Sequence, residues 1–347
     1  MKLKTLRVQN FRNHDSFICD FSPTTTLIYG KNGSGKTALL EAIYETYRGV
    51  SFRGSDENIL NTRHQWYRVD TADDMVRRTI LFDNRSDKSI KQFIVDGKKS
   101  LRLPVKYKFP IILFTPDDLR LIGGSPARRR KYLDTVIGQY DTTYTANLRR
   151  YERALLQRNK LLKRPDVSQD MLFSWDIILS QTGAQIIAAR HNFVGIINQQ
   201  LTSYYRQIAG GSDILGASYT HVVLAAPTLL AQYEANFARD HLLGTTSVGP
   251  HRHDFMIELN TSHASDTASR GEVRTIVLAL KYIEASIVHR HTDIYPLVLL
   301  DDVFGELDTA RQKNLLRFFV HNQVIISSTN KHRATKTITL YSTTNST

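Results

Sequence analysis

An α/β fold carrying an inserted, mainly helical lobe is predicted by three features of this 347-residue chain. Apolar and polar residues alternate up to a glycine-rich loop, GKNGSGKT, at residues 30–37. Short apolar runs, PIILF, PLVLL and QVIIS, stand on both sides of a long middle segment. Within that segment, from about residue 117 to 209, the apolar period changes from two to between three and four.

Leu3, Leu6 and Val8, then Phe17, Cys19 and Phe21, then Leu27 and Tyr29 mark three short strands ending at the glycine loop. ALLEAIYETY after the loop reads as a helix. RRTILFD and KQFIVDG form a further strand pair about the turn-prone NRSDK, and PIILF at 110–114 is a buried strand. In the middle segment Tyr144, Leu148, Tyr151, Leu155 and Leu162 recur as on one helix face, and Arg149, Arg150, Arg153, Lys160 and Arg164 fall mostly off that stripe. A helical arm with a basic outer surface follows, although a solvated helix face is charged for no further reason. After GTTSVGPHRHDF the α/β pattern returns as strand FMIEL, helix EVRTIVLALKYIEASIV, strand PLVLL, helix TARQKNLLRFF and strand QVIIS, and the final LYSTTNST is polar and frayed. The expected division is an α/β lobe from residues 1–116 and 241–347, with residues 117–240 as the helical insertion.

A hydrophobic content of 41% is enough for a substantial core. Lys and Arg number 46 against 33 Asp and Glu, a formal charge of +13 that favours a polyanionic partner, nucleic acid or an anionic membrane surface. The single Cys19 excludes an internal disulfide framework and is expected as core filler, in keeping with a reducing compartment. The N-terminal MKLKTLRVQNF lacks the apolar stretch of a signal peptide, and no run approaches the roughly 18 apolar residues of a membrane helix, so a cytoplasmic protein outside the membrane is expected.

The spacing from Gly30 to Gly35, followed by Lys36 and Thr37, satisfies G-x-x-x-x-G-K-[ST] between a strand and a helix. Backbone amides of Gly30, Lys31, Asn32, Gly33, Ser34 and Gly35 can curl around phosphate oxygens, helped by the helix N-terminus. Lys36 reaches the β and γ phosphates and Thr37 ligates Mg²⁺ in such a loop. The second requirement, a carboxylate for the metal, is met by PLVLLDD: Asp301 is the candidate Mg²⁺ partner, and Asp302 is placed to orient or activate water. Acids at a strand end also serve as helix caps, but the two motifs together point to hydrolysis of ATP or GTP, with Lys36, Asp301 and Asp302 as the catalytic set.

Ser269-Arg270-Gly271-Glu272 opens the periodic helix that follows. Taken alone this is a capping box, Ser269 answered by Glu272 three residues on. It is also a second anion site in a chain that already has one, which implies a nucleotide offered by another copy, held by Ser269 and Gly271.

In order, GKNGSGKT, SRGE and LVLLDDVFGELD resemble the ABC-type ATPase head of SMC proteins and their DNA-repair relatives, heads that act as dimers around shared nucleotides. PDDLRLIGGSPARRRKYLD at 116–134, TSVGPHRHD at 246–254 and SFRGSDENIL resemble the signatures of the RecF family, from residue 1 to about 330. The resemblance implies an ABC-type head with a helical insertion, ATP and Mg²⁺ as ligands, and an ATP-driven homodimer. It also implies binding to single-stranded, gapped or duplex DNA without sequence preference, and a role in replication, recombinational repair and the SOS response that promotes RecA loading with RecR. It assigns Lys36 and Thr37 to phosphate and Mg²⁺, Asp301 to the metal, and Ser269 and Gly271 to the partner copy's γ-phosphate. Five residues depart from the pattern: Asp302 stands where many ABC ATPases have Glu, Glu272 where Gln is frequent, His253 where the family usually has Asp, and Thr329 and Asn330 at the place of the switch histidine of transporter ATPases. Slow hydrolysis, below about 1 per second, is the expectation from those departures, and a weak ATPase stimulated by DNA is the activity expected with the DNA-binding role. The run Arg128-Arg129-Arg130 either contacts DNA phosphate or, the preferred alternative, ties the helical arm to the head through acids, since Tyr132, Leu133, Val136 and Ile137 form that helix's core face. A rival function is a nucleotide-dependent switch that recruits a protein effector; the absence of heptad arms excludes an SMC coiled coil.

Overall fold

The structure, a computed structural model, describes residues 1–61, 63–86, 88–303, 312, 314, 317–331 and 334–340. The helix expected at TARQKNLLRFF and the tail LYSTTNST lie largely outside the described residues. In chain order the chain forms β1 (Leu3–Phe11), β2 (His14–Asp20), β3 (Thr25–Gly30), α1 (Lys36–Arg48), β4 (Trp66–Asp73), β5 (Arg77–Asp83), β6 (Ile90–Val95), β7 (Lys98–Ser100) and β8 (Ile111–Phe114). There follow α2 (Arg120–Gly123), α3 (Pro126–Tyr140), α4 (Thr142–Leu161), α5 (Gln169–Ala209), β9 (Leu215–Tyr219), α6 (Ala226–Ala235) and α7 (Phe237–Leu243). The last are β10 (Phe255–Leu259), β11 (Ser262–His263), α8 (Ala264–Thr267), α9 (Arg270–Thr292), β12 (Leu297–Asp301), β13 (Val324–Ser328) and β14 (Lys336–Leu340). The chain divides into two compact units, Met1–Asp118 with Ala285–Thr347, and Leu119–Glu284.

The first unit holds two sheets. One is antiparallel in the order β2-β1-β4-β5-β6-β7, and the other is parallel in the order β14-β3-β13-β12-β8. β4 was not among the expected strands; it lies at the centre of the antiparallel sheet because Tyr67, Val69 and Thr71 alternate inward. β12 is buried at every position, as a parallel strand covered on both faces should be. The core joins Leu6, Val8 and Phe11 of β1, Tyr67 and Val69 of β4, and Leu39, Leu40, Ile43 and Tyr47 of α1. Cys19 packs half-buried against it, and burial pushes its thiol up to about 12, which suits filler and not a nucleophile.

Helix α1 is buried nearly all round, including Glu41 and Glu45. Carboxylates so placed require partners. Glu41 receives the guanidinium of Arg12 at 2.9 and 2.7 Å and the hydroxyl of Ser51 at 2.5 Å. Glu45 takes Lys91 and the Tyr67 hydroxyl, the latter at 2.8 Å. Lys91 also reaches Asp56 at 2.5 Å, so one ammonium links β6, α1 and the turn at Asp56–Asn58. The segment after α1 is thereby fixed along that helix.

The second unit packs α4, α5 and α6 with a sheet in the order β11-β10-β9. Residues 241–284 belong to it and not to the α/β lobe expected from residue 241 onward, because β10 pairs with β9 along five residues and so continues the helical unit's own sheet. On α4, Tyr144, Tyr151, Ala154 and Arg158 are the buried positions, while Leu148 and Leu155 of the expected stripe are only half-buried. Arg158 displaces them because it is a structural core residue: it is fully buried, donating to Asp176 at 2.5 Å, Asp240 at 2.6 Å and Thr246 at 2.9 Å. Arg190 is also buried and donates to Asp134 at 3.0 and 2.7 Å and to the Pro250 carbonyl at 2.7 Å. Arg129 meets Asp254 side-on, at 2.7 and 2.6 Å. Three buried arginines therefore grip the loop 246–254 at its start, middle and end, each with the paired hydrogen bonds that a buried guanidinium needs. The run Arg128-Arg129-Arg130 was expected to tie the arm to the head; Arg129 and Arg130 instead bind Asp254 and the His253 carbonyl within their own unit.

Candidate nucleotide site

The loop after β3 and the end of β12 are brought together by strand order. β13 lies between β3 and β12, with Ser327 in register with Asp301 and Ser328 with Tyr29, so both motifs emerge at the carboxyl edge of one parallel sheet. Gly33 and Gly35 hold φ of 78° and 92°, the left-handed region that favours glycine. At Gly35 a Cβ would stand 2.2 Å from Nε2 of His14 and 2.7 Å from Oδ1 of Asn13, so the loop closes only around a glycine there. α1 begins at Lys36 and directs its free amide ends into the same space.

Within the loop the Lys36 ammonium is buried and donates to the carbonyls of Gly30 and Lys31, each at 2.9 Å. Burial lowers its pKa, opposed by Asp302 and Asp301. The Thr37 hydroxyl donates to Oδ1 of Asp301 at 2.8 Å, and the Ser327 hydroxyl donates to the same oxygen at 2.7 Å. Burial raises the Asp301 carboxyl, and those two hydrogen bonds oppose the rise. Asp302 adopts φ of 51° and shares its amide between the Ser327 carbonyl at 3.1 Å and hydroxyl at 3.0 Å. Its Oδ1 is buried and lacks a hydrogen-bond partner among the described residues. That orphaned oxygen, beside a lysine satisfied only by carbonyls, fits a site built to receive a polar ligand.

A cavity of about 740 Å³ opens here, lined by Asn32, Gly33, Gly35, Lys36, Thr37 and Asp302, and on its other wall by Arg12, Asn13, Asp15, Arg53, Asn61 and Arg63. The second wall was not anticipated from sequence. Asn13 donates to the Gly33 carbonyl at 3.0 Å, and Nε2 of His14 stands 3.1 Å from the Gly35 carbonyl, which makes it the protonated nitrogen. Asn61 donates to Asp15 at 2.8 Å. The signal for part of this wall was the mainly polar run QNFRNHD across the turn from β1 to β2, where Asn10 and Arg12 take φ of 54° and 55°.

Gly30, Lys31, Asn32, Gly33, Ser34, Gly35, Lys36, Thr37, Asp301 and Asp302 thus gather in the first unit, whereas Ser269 and Gly271 belong to the second. There Ser269 accepts from the Glu272 amide at 3.3 Å and its own amide donates to Glu272 Oε2 at 2.7 Å, the reciprocal capping box. Ser269 remains exposed at the start of the 23-residue helix α9. Ser328 and Asn330 meet beyond β13, Asn330 N–H donating to Ser328 Oγ at 3.0 Å. Among the described helices none is long and apolar enough to cross a membrane.

An AAA domain profile matches residues 5–165. The chain is 33% identical to the DNA replication and repair protein RecF of Agathobacter rectalis, over 95% of this chain and 92% of that protein. It is 32% identical to the protein of the same name from Lachnoclostridium phytofermentans, over 95% and 93%. Among solved structures, the recombination mediator protein RecF-ATP in the RecFOR pathway superposes with a TM-score of 0.87 at 31% identity, covering 98% of this chain and 96% of that one. An Smc head domain from Pyrococcus furiosus shares the fold at a TM-score of 0.53 and 14% identity, covering 95% and 90%.

Proposed function

The chain belongs to the RecF family of DNA replication and repair proteins, and from that membership we propose an ATP-gated DNA clamp that promotes RecA loading with RecR at single-stranded, gapped or duplex sites. The observation that carries this is the bond from Thr37 to Asp301 at 2.8 Å, which joins the phosphate loop to the carboxylate strand in the arrangement ATP hydrolysis requires.

ATP occupies the cavity with its phosphates against the amides of residues 30–37. Lys36 exchanges its two carbonyl acceptors for phosphate oxygens. Mg²⁺, when bound, neutralises phosphate charge. Thr37 and Asp301 are the residues that would hold it, and Ser327 keeps Asp301 oriented. Asp302, with its unsatisfied buried oxygen, accepts a hydrogen bond from the attacking water. Ser269 and Gly271 sit at an exposed helix start and act on the nucleotide of a second copy, so dimerisation depends on ATP. Binding to DNA runs through the phosphate backbone, in keeping with the charge of +13, and carries no sequence preference. The identity over nearly the whole chain leaves the protein-effector switch unfavoured.

Steady-state turnover of ATP with and without gapped duplex tests this function. A slow rate, below about 1 per second and raised by DNA, is expected. Fast turnover indifferent to DNA would contradict it.

A further inference from the structure

We infer that the solvent face of α4 is a contact track for the DNA phosphate backbone, formed by Arg149, Arg153 and Lys160. This rests on the DNA-binding function proposed above and assigns a surface to it. At 100° per residue these three side chains fall within about 40° of one another, on the side opposite Tyr151, Ala154 and Arg158, which are buried. The stripe runs about 16 Å along the helix, close to five base-pair steps of 3.4 Å.

Three observations favour a polyphosphate as the occupant. Arg149, Arg153 and Lys160 are exposed, and among the described residues no carboxylate lies within 4.0 Å of any of them, in contrast to Arg164, which pairs with Asp166 at 2.7 Å. The platform is rigid: Asp141 caps the helix by accepting from the Tyr144 amide at 2.8 Å, and the buried Arg158 bolts its far end to Asp176 and Asp240. The face also lacks aromatic anchors; Leu156 is its one large apolar side chain, whereas the core of a protein interface is rich in aromatic residues and Met. Glu152, beside the track, is the one acidic residue on the helix and leaves the face net positive.

Equilibrium binding of gapped duplex to the full chain with ATP, from 50 to 200 mM salt, tests the track. The triple variant Arg149→Gln, Arg153→Gln, Lys160→Gln is compared with wild type and with Arg149→Lys, Arg153→Lys. Loss of three phosphate contacts lowers the slope of log affinity against log salt by about 2.7, so the fall in affinity over that range is about forty-fold smaller than for wild type. The lysine variant keeps the wild-type slope, and ATP turnover without DNA is unchanged in all three. A wild-type slope in the glutamine variant overturns the track and leaves the function standing. A slope also lost in the lysine variant shows that something other than charge on this face matters, and likewise overturns it. Binding of an acidic protein by this face with DNA affinity unaltered reassigns the surface. Failure of the wild type itself to bind DNA removes the proposed function and the track together.

Discussion

Oδ1 of Asp301 receives two hydroxyl hydrogen bonds, from Thr37 at 2.8 Å and from Ser327 at 2.7 Å, so a single carboxylate oxygen ties strands β12 and β13 to the first turn of α1, just after the glycine loop. Thr37 can change partner when a ligand enters, whereas Ser327 stays behind Asp301 as its support, in register on β13. Asp301→Asn and Ser327→Ala should therefore differ in degree and agree in kind. Removing support behind a metal-holding carboxylate typically costs 10- to 100-fold in affinity, so Ser327→Ala should raise the Mg²⁺ concentration for half-maximal ATP turnover by about that factor. Asp301→Asn should raise it further. A Mg²⁺ titration of turnover checks both.

Lys91 is expected to matter for stability well beyond an ordinary surface lysine. It bridges the fully buried Glu45 and the turn at Asp56, and burial pushes the Glu45 carboxyl up to about 7. Lys91→Met leaves that carboxylate without a cation, with only the Tyr67 hydroxyl at 2.8 Å as its partner, at a cost of about 3–5 kcal/mol where Glu45 must be charged. Below pH 7 Glu45 takes up a proton and the loss shrinks. Denaturant midpoints of Lys91→Met should thus lie further below wild type at pH 8 than at pH 6, with Lys91→Arg recovering part of the difference.

His251 and His253 should impose acid sensitivity. His251 donates from Nε2 to the Thr246 carbonyl at 3.0 Å and accepts from Tyr151 at Nδ1, at 2.6 Å, so its neutral form is the one bonded. Burial lowers it to about 4, and burial with His221 and Arg190 nearby lowers His253 to about 3. The unfolded chain, with histidines near 6.5, binds more protons than the folded one between these values, so this contribution to stability is complete above about pH 6.5 and is lost as pH falls toward 4. His253→Asn should reduce the slope of unfolding free energy against pH across that window by up to about one proton. An unchanged slope would contradict the assignment.

Gly249 has φ of 118°, and a Cβ there would stand 2.4 Å from the Tyr151 hydroxyl and 2.6 Å from that of Tyr233. Gly249→Ala should destabilise by more than the roughly 1 kcal/mol usual for a point change, since both hydroxyls are in the core. Arg129→Ala, which leaves Asp254 without its side-on partner, should lower the same unit's stability by a few kcal/mol. Thermal unfolding of each variant measures these effects.

The glycine loop before a helix, the strand ending in Asp301 and most strands of the parallel sheet were legible because each is a short pattern with a local cause: glycines at fixed spacing, or an apolar run ending in acids. β4 was not, because WYRVDTAD mixes inward Tyr67, Val69 and Thr71 with charged outward residues and so reads as polar. The buried face of α4 was misjudged for a related reason. Arg158 counts as surface in any hydropathy pattern, yet Asp176 and Asp240 lie 18 and 82 residues away and make it a core residue. The wall of the cavity carrying Arg12, Asn13 and Arg53 is likewise set by long-range bonds to Glu41 and to the phosphate loop, which no window of sequence contains. That β10 belongs with the helical unit depends on its pairing with β9, a strand separated from it by two helices.

ATP-dependent affinity for a gapped duplex, measured for wild type, Lys36→Arg and Ser269→Arg, tests the central claim most directly. ATP should tighten wild-type binding, and Ser269→Arg should lose that tightening while still binding ATP as a monomer; Lys36→Arg should lose it through impaired handling of the nucleotide itself. If ATP leaves the DNA affinity of the wild type unchanged, or if Ser269→Arg responds to ATP as the wild type does, the ATP-gated dimeric clamp is contradicted.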